Sequence, residues 1–252
     1  LVNDVTPEVS KGNTFYRYLS DKVSFVSYKA AQMRLIYFPL CGTDSSRIKS
    51  SITGFLSGDI KIDKNHYLTK PVSREDLRQP VRNFFVYIPS DPQPIVVSLV
   101  QPSCEGEGCI EAGPLWHKVV RAYPQAGLEI EALNFVPTTG EQVELMRVLV
   151  RNISDHPITF TPTAVLPIFG RALVNKHDHE HVTSLLNRIQ QLPEGVLVKP
   201  TLFFNEEGHL ENHAVYYVFG VSADHENPVG TFPTVASFYG DSGDGFRPEA
   251  VW

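Results

Sequence analysis

The residues best suited to chemistry crowd into one stretch, Lys176-His177-Asp178-His179-Glu180-His181. Three histidines alternate with two acids. On an extended strand alternate side chains share a face, so His177, His179 and His181 would point one way and Asp178 and Glu180 the other. Three neutral imidazoles on one side are zinc ligands in type. Histidines at i, i+2 and i+4 of one strand do not close a tetrahedron unaided, and no fourth ligand stands out, so no metal is expected. Two readings stay open: a polar loop facing a partner domain or a sugar, which leads, and a solvated surface. Just downstream, Val182, Leu185, Leu186 and Ile189 fall at i, i+3, i+4 and i+7. That spacing predicts a short amphipathic helix, and a polar break in a strand-rich chain is where sites tend to sit.

Other chemistry-bearing residues read more plainly. Glu129 and Glu131 are two apart, with Leu128, Ile130 and Ala132 on the other face of the same predicted strand. Glycoside hydrolysis needs two carboxylates facing each other across a sugar at roughly 5–10 Å. A same-strand pair faces nothing, so an exposed strand face is expected and no catalytic role. There is no nucleophile elbow, P-loop, Rossmann glycine pattern or zinc-protease helix. Thr183-Ser184 has histidines nearby but no implied geometry. Aromatic residues make up 11% of the chain. Sugar sites use flat ring faces, but the core is the commoner use of a ring. Adjacent aromatics such as Phe84-Phe85 and Tyr216-Tyr217 are expected to send only one of each pair inward.

The elements that must position these residues are mostly strands. Phe15 to Leu19, Val23 to Tyr28 and Met33 to Leu40 read as strands, followed by Asn83 to Ile88 paired with Ile95 to Val100. Leu115 to Tyr123 and Leu128 to Val136 read as a hairpin about Pro124-Gln125-Ala126-Gly127. Val143 to Asn152, Ile158 to Phe169, Val196 to Phe204 and Ala214 to Ser222 follow. About a dozen strands at this spacing predict a sandwich. Ser73 reads as the cap of a short turn with Asp76 three on, stopped by Pro80. Residues 41–82 and 170–195 read as long insertions, and Gly58 to Leu77 within the first reads as a solvated hairpin and turn or as a domain-docking or oligomer surface. The tail 223–252 reads as irregular. No linker or fixed-period repeat divides residues 1–252, so one β-sandwich domain is expected.

The 252 residues carry a formal charge of −6. A nucleic-acid binder normally shows a basic face, so a nucleic-acid partner is not expected. The three cysteines, Cys41, Cys104 and Cys109, are an odd number; free thiols lead, with a loop disulfide between Cys104 and Cys109 as the alternative. No apolar run reaches transmembrane length and the first residues do not read as a signal peptide. The chain starts at Leu1 and ends at Trp252, which reads as a piece of a longer protein with a cytoplasmic parent.

The run from Leu145 to Ile189 resembles the N-terminal β-sandwich domain of the cellobiose phosphorylase-like enzymes, the former glycosyltransferase family 36. The pieces that carry the resemblance are Met146-Arg147-Val148-Leu149-Val150-Arg151-Asn152, Pro167-Ile168-Phe169-Gly170-Arg171-Ala172 and His181-Val182-Thr183-Ser184-Leu185-Leu186-Asn187-Arg188-Ile189. The Gly195 to Phe204 strand and the Glu207-Gly208 turn fit too. Gly58-Asp59-Ile60-Lys61 and Pro71-Val72-Ser73-Arg74-Glu75-Asp76-Leu77 look like the β-glucan phosphorylase branch. Where familiar members have a Gly-rich segment, this chain reads Tyr18-Leu19-Ser20-Asp21-Lys22-Val23, which leaves the substrate branch open.

The resemblance implies a large antiparallel, galactose-mutarotase-like β-supersandwich with few short helices. It also implies a C-terminal (α/α)6 barrel in the parent chain that carries the catalytic acid, uses inorganic phosphate as co-substrate and inverts the anomeric centre. No barrel sequence is present here, so no catalytic residue is carried over and this chain alone is expected to be inactive. The implied role is non-catalytic: supporting the barrel, forming a homodimer and shaping the site for a β-glucoside or oligosaccharide. Asp178, His179, His181, Thr183 and Arg188 are the candidates for a substrate or domain interface. The alternatives are a free-standing carbohydrate-binding module and, last, a mutarotase-type epimerase with a facing His and carboxylate in one cleft.

Overall fold

Alternating apolar and polar residues build the centre of the molecule. In the computed structural model, which describes residues 17–18, 24–27, 36–43, 45–101, 108–177, 180–205 and 208–252, strands dominate and every strand pairing is antiparallel. In chain order the strands are β1 (Arg17–Tyr18), β2 (Phe25–Ser27), β3 (Tyr37–Cys41), β4 (Lys49–Thr53), β5 (Ile60–Asp63), β6 (His66–Tyr67), β7 (Asn83–Ile88), β8 (Ile95–Ser98) and β9 (Gly108–Gly113). They continue with β10 (Trp116–Tyr123), β11 (Leu128–Phe135), β12 (Leu145–Asn152), β13 (Thr161–Val165), β14 (Asn187–Leu192), β15 (Gly195–Pro200), β16 (Leu202–Asn205), β17 (Gly208–Glu211) and β18 (Tyr216–Phe219). Two short helices, α1 (Glu180–Leu185) and α2 (Val235–Tyr239), complete the α-helical content of the described residues. The all-β expectation is borne out.

The sheets run β1-β2-β9-β10-β11-β12, β3-β4-β5-β6, β13-β7-β8, β14-β15-β18 and β16-β17. The β10–β11 hairpin forms where the alternation and the turn residues place it. Pro124–Ala126 makes one 3-10 turn, and Gly127 follows at φ 66°, a left-handed conformation that glycine adopts without strain. The main core lies between the six-stranded sheet, the β3–β6 sheet and the β7–β8 pair. Leu40, Ile52, Ile60, Val86, Val119 and Ile130 are among its buried members. Fully burying a side chain of this size contributes about 1.5–3 kcal/mol.

Several expectations need correction. Residues 41–82 are not a peripheral insertion, since β4, β5 and β6 lie here and Ile48, Ile52, Phe55, Leu56 and Ile60 enter the core. The strand predicted over Ile158 to Phe169 is limited to β13, and Val196 to Phe204 breaks into β15 and β16, which belong to different sheets. The 223–252 tail contains α2. Thr234 caps it through its side chain, which accepts from Ser237 N at 3.1 Å, while the Ser237 hydroxyl returns to the cap backbone. Phe84 and Phe85 are both buried. Phe84 joins the main core, whereas Phe85 packs with Phe238 of α2 and with Val251. The tail covers the second face of β7 and so gives both rings an apolar side. Tyr216 and Tyr217 do split, at 7% and 41% exposure. Ser73 is not the cap expected: Glu75 precedes the 3-10 turn Asp76–Arg78 with no side-chain cap bond, while the Asp76 carboxylate accepts from Ser73 N at 2.9 Å and Ser73 Oγ at 2.7 Å; Lys176 binds the same carboxylate.

Polar residues sit deep in this core. Arg82 is fully buried and clasps Glu144 in two parallel bonds, Nε to Oε1 at 2.6 Å and Nη2 to Oε2 at 2.7 Å. It also donates to Ser50 Oγ at 2.9 Å and to the Gly58 carbonyl at 3.3 Å. Asn134 Nδ2 donates to Glu144 at 3.2 Å, and Ser50 Oγ donates to the same carboxylate. His117 stands opposite Asn134 in the β10–β11 register and lies 5.3 Å, ring to ring, from Phe38. It is fully buried, and neither ring nitrogen has a hydrogen-bond partner among the described residues. Burial, seconded by the Arg82 charge, pushes its pKa down from 6.5 to about 3.

Two outcomes follow for stability. Glu144→Ala strands the Arg82 charge, and removing one partner of such a pair costs ~3–5 kcal/mol; urea unfolding at neutral pH checks this. His117 stays neutral in the folded chain, while the unfolded chain takes up a proton below pH 6.5. Stability contributed by this group is therefore present above pH 6.5 and is lost as pH falls from there toward 3. The urea midpoint of His117→Leu is expected to fall less steeply between pH 6.5 and 4.5 than that of the parent. Equal slopes would refute this account.

Candidate functional site

The polar stretch singled out from sequence does not form an extended strand with aligned imidazoles. His177 ends a 3-10 turn over Leu173–Lys176, and His181 falls within α1. Asp178 and His179 lie outside the described residues. The helix predicted to reach Ile189 stops at Leu185, and Arg188 and Ile189 belong to β14, where they pair with Lys199 and Val198. A short apolar run satisfies a helix or a strand equally until its partner is known, and here β15 decides for the strand. Leu185, assigned to the apolar stripe, is 77% exposed. Thr183 is 2% exposed and takes part in the packing, whereas Arg188 is exposed. Thr183, packed inward, and Arg188, in solvent, therefore do not share one surface.

The register of the β14-β15-β18 sheet builds a different surface, one that includes Arg188. Directly opposite residues of antiparallel strands share a face. Arg188 stands opposite Lys199; Gln190 opposite Leu197, which in turn meets Tyr217; and Gly195 meets Phe219. These residues form three rows on one face, about 6.8 Å apart at two residues per row. The reverse face carries Val198 and Tyr216, both buried. On the open face Tyr217 and Phe219 are 41% and 45% exposed, with ring centroids 4.9 Å apart and planes inclined by 31°. Gly195 has φ +157°, and a Cβ there would meet the Val218 carbonyl oxygen at 2.1 Å, so the β14–β15 turn requires glycine at this point.

A shallow cleft of about 300 Å³ lies elsewhere, lined by Arg47, Asp63, His66, Gln142, Glu211 and His213 among others. Asp63 Oδ1 is bound by His66 Nδ1 at 2.8 Å and by Asn65 N at 2.8 Å. Burial works to raise the Asp63 pKa, but the bonds from His66 and Asn65 outweigh it and hold the carboxyl below its ordinary value. Asp63 thus stays ionised at neutral pH and cannot serve there as a general acid. His213 and Glu211 form a second pair at 3.4 Å, both largely in solvent. The Tyr216 hydroxyl, pushed up to about 12 by burial with the Asp63 charge acting in the same sense, is not a base either. The cleft holds imidazole–carboxylate pairs without the shielding from water that proton transfer chemistry exploits.

Remaining candidates reduce to structural roles. Glu129 and Glu131 are not a bare exposed face: Arg151 binds Glu129 at 2.5 Å, and Arg147 binds Glu131 at 3.1 Å. Glu131 is only 9% exposed. Cys41 and Cys109 are free thiols, and burial, reinforced by Glu111, pushes the Cys109 thiol up to about 11, so it is protonated at neutral pH. Cys104 lies outside the described residues. Among the described residues no group of three or more His, Cys, Asp or Glu is placed to hold a metal ion, and no helix is long and apolar enough to cross a membrane. Sequence reasoning missed Tyr217 and Phe219 as a pair, although their i, i+2 spacing on a strand was legible.

The two described side chains among the five candidates separate by experiment. Thr183→Ala is expected to lower stability by about 1 kcal/mol, as typical for a buried position, and Arg188→Ala to stay within about 0.5 kcal/mol of the parent. Chemical denaturation of both variants checks it.

No protein-family model matches this chain, and no curated protein sequence matches it.

Proposed function

We propose that this chain is a non-catalytic, carbohydrate-associated domain of an inverting glycoside phosphorylase, docking onto and supporting a separate (α/α)6 catalytic barrel. The family resemblance of the His181 to Ile189 run motivates the reading. The observation that supports it most is where the molecule leaves apolar surface in water. Of nineteen exposed large apolar residues among those described, ten fall between 185 and 235, about a fifth of the chain. Leu185, Val221 and Val229 are 77%, 63% and 107% exposed. Single exposed apolar residues need no explanation, but a segment that holds half of those described offers the apolar surface a docked partner would cover. The all-β architecture fits the sandwich half of such an enzyme.

The experiment mixes this chain with the separately produced barrel of an inverting glycoside phosphorylase. A complex of one chain per barrel by light scattering is expected, disrupted by the Leu185→Asp, Val221→Asp double variant at unchanged melting temperature. Chains that elute apart at tens of micromolar, with the barrel equally stable alone, would sink the reading. The binding-module alternative is favoured by one observation, the exposed Tyr217–Phe219 pair, since ring faces in water suit the apolar face of a pyranose. Calorimetric titration with cellobiose and laminari-oligosaccharides tests that alternative. It expects binding that Tyr217→Ala removes.

A further inference from the structure

The open face of the β14-β15-β18 sheet pairs its aromatic rows with a cationic one. Arg188 and Lys199 are directly opposite each other across antiparallel strands, both exposed. Like charges in that register repel. Neither side chain has an ion-pair or hydrogen-bond partner among the described residues. None of the residues that share the face with them, Gln190, Leu197, Tyr217 and Phe219 included, is acidic. This cationic row belongs to a chain whose 28 acids outnumber its 22 lysines and arginines.

We infer that this face binds an anionic pyranose, a sugar ring bearing a carboxylate or phosphoryl group. The inference rests on the carbohydrate-associated part of the proposed function and names the ligand class of the aromatic face. The ring lies over the exposed part of the Tyr217–Phe219 pair, whose centroids are 4.9 Å apart and whose planes differ by 31°, an offset stack that leaves its outer ring surface and edges to the ligand. Lys199 is the diagonal neighbour of Tyr217, one strand and one row away, a separation of about 7–8 Å that long side chains bridge. Its ammonium and the Arg188 guanidinium take the anionic group. Arginine offers the forked donor geometry that matches carboxylate and phosphate oxygens. The Gln190 amide, in the same row as Tyr217 and next to Arg188 on β14, supplies a donor and an acceptor for ring hydroxyls. A neutral sugar would use the rings and the amide but leave the Arg188–Lys199 repulsion in place. An anion removes it.

The test is isothermal titration of the intact chain with oligogalacturonate, glucose 6-phosphate, laminari-oligosaccharide and inorganic phosphate. Oligogalacturonate or glucose 6-phosphate is expected to bind at least tenfold more tightly than either laminari-oligosaccharide or phosphate alone. The two anionic arms distinguish a carboxylate from a phosphoryl source. Affinity should fall at least tenfold in Tyr217→Ala, fall similarly in the Arg188→Gln, Lys199→Gln double variant, and weaken with added salt. These positions are exposed, so each variant is compared at matched circular dichroism and melting temperature. Equal affinity for laminari-oligosaccharide would overturn the inference while leaving a carbohydrate role standing. Tight binding of an anionic sugar that survives both variants would overturn the site. Absence of binding to every sugar would overturn the inference and the carbohydrate role together, whatever the outcome of barrel docking.

Discussion

The buried Arg82–Glu144 pair is the constraint around which the rest is arranged. An ionised guanidinium withdrawn from water is tolerable only when its donors are met. Here those partners come from distant parts of the chain: Ser50 from β4, the Gly58 carbonyl from the turn before β5, and Glu144 from the segment leading into β12. Asn134 of β11 braces the carboxylate from the far side. Sheets that also meet through apolar side chains thereby acquire a directional fastening across the core. Hydrophobic contact sets how much they pack; the ion pair fixes where, because a shifted register would leave a charge unmatched in the core.

The same need to satisfy both sides of an element explains the two-layered setting of β7. Asn83 at its start folds its amide back on the β8 end, accepting from Phe84 N and Val100 N at 2.9 and 3.1 Å. Phe84 then enters the main core and Phe85 the smaller cluster with Phe238 and Val251. The tail is therefore an integral layer over β7. The β14-β15-β18 sheet, by contrast, buries Val198 and Tyr216 on one face and leaves Tyr217 and Phe219 on the other in solvent.

What the sequence disclosed follows from the range of the interactions. The β7–β8 and β10–β11 hairpins were legible because alternation and turn residues are local. The split of Tyr216 from Tyr217 was legible for the same reason. Residues 41–82 were not, because short strands rich in Gly and Ser look like loops until Ile52 and Ile60 find their core neighbours. The helical spacing from Val182 to Ile189 holds only as far as Leu185, where α1 ends; Ile189 pairs as a strand, which only the ladder to β15 resolves. Arg188 was picked out for its place in a motif, whereas its interest lies in facing Lys199. That juxtaposition depends on the two-residue turn Pro193-Glu194, whose length sets the register of the hairpin. The α2 cap, Thr234 with Ser237, was present in the sequence but hidden in a tail whose composition suggested disorder of pattern.

Gly58 shows how far the central fastening extends. It is buried, it holds φ at +116°, and a Cβ in its place would meet the Ser51 carbonyl oxygen at 2.0 Å. Its own carbonyl is one of the few acceptors available to Arg82. Replacing this glycine would push β4 away from the turn and withdraw an acceptor from a charge it never touches through a side chain. In a lineage of such proteins, tolerance to change at this turn would thus resemble that of an interior residue. Drift in the neighbouring surface positions would stop abruptly at a residue with no side chain at all.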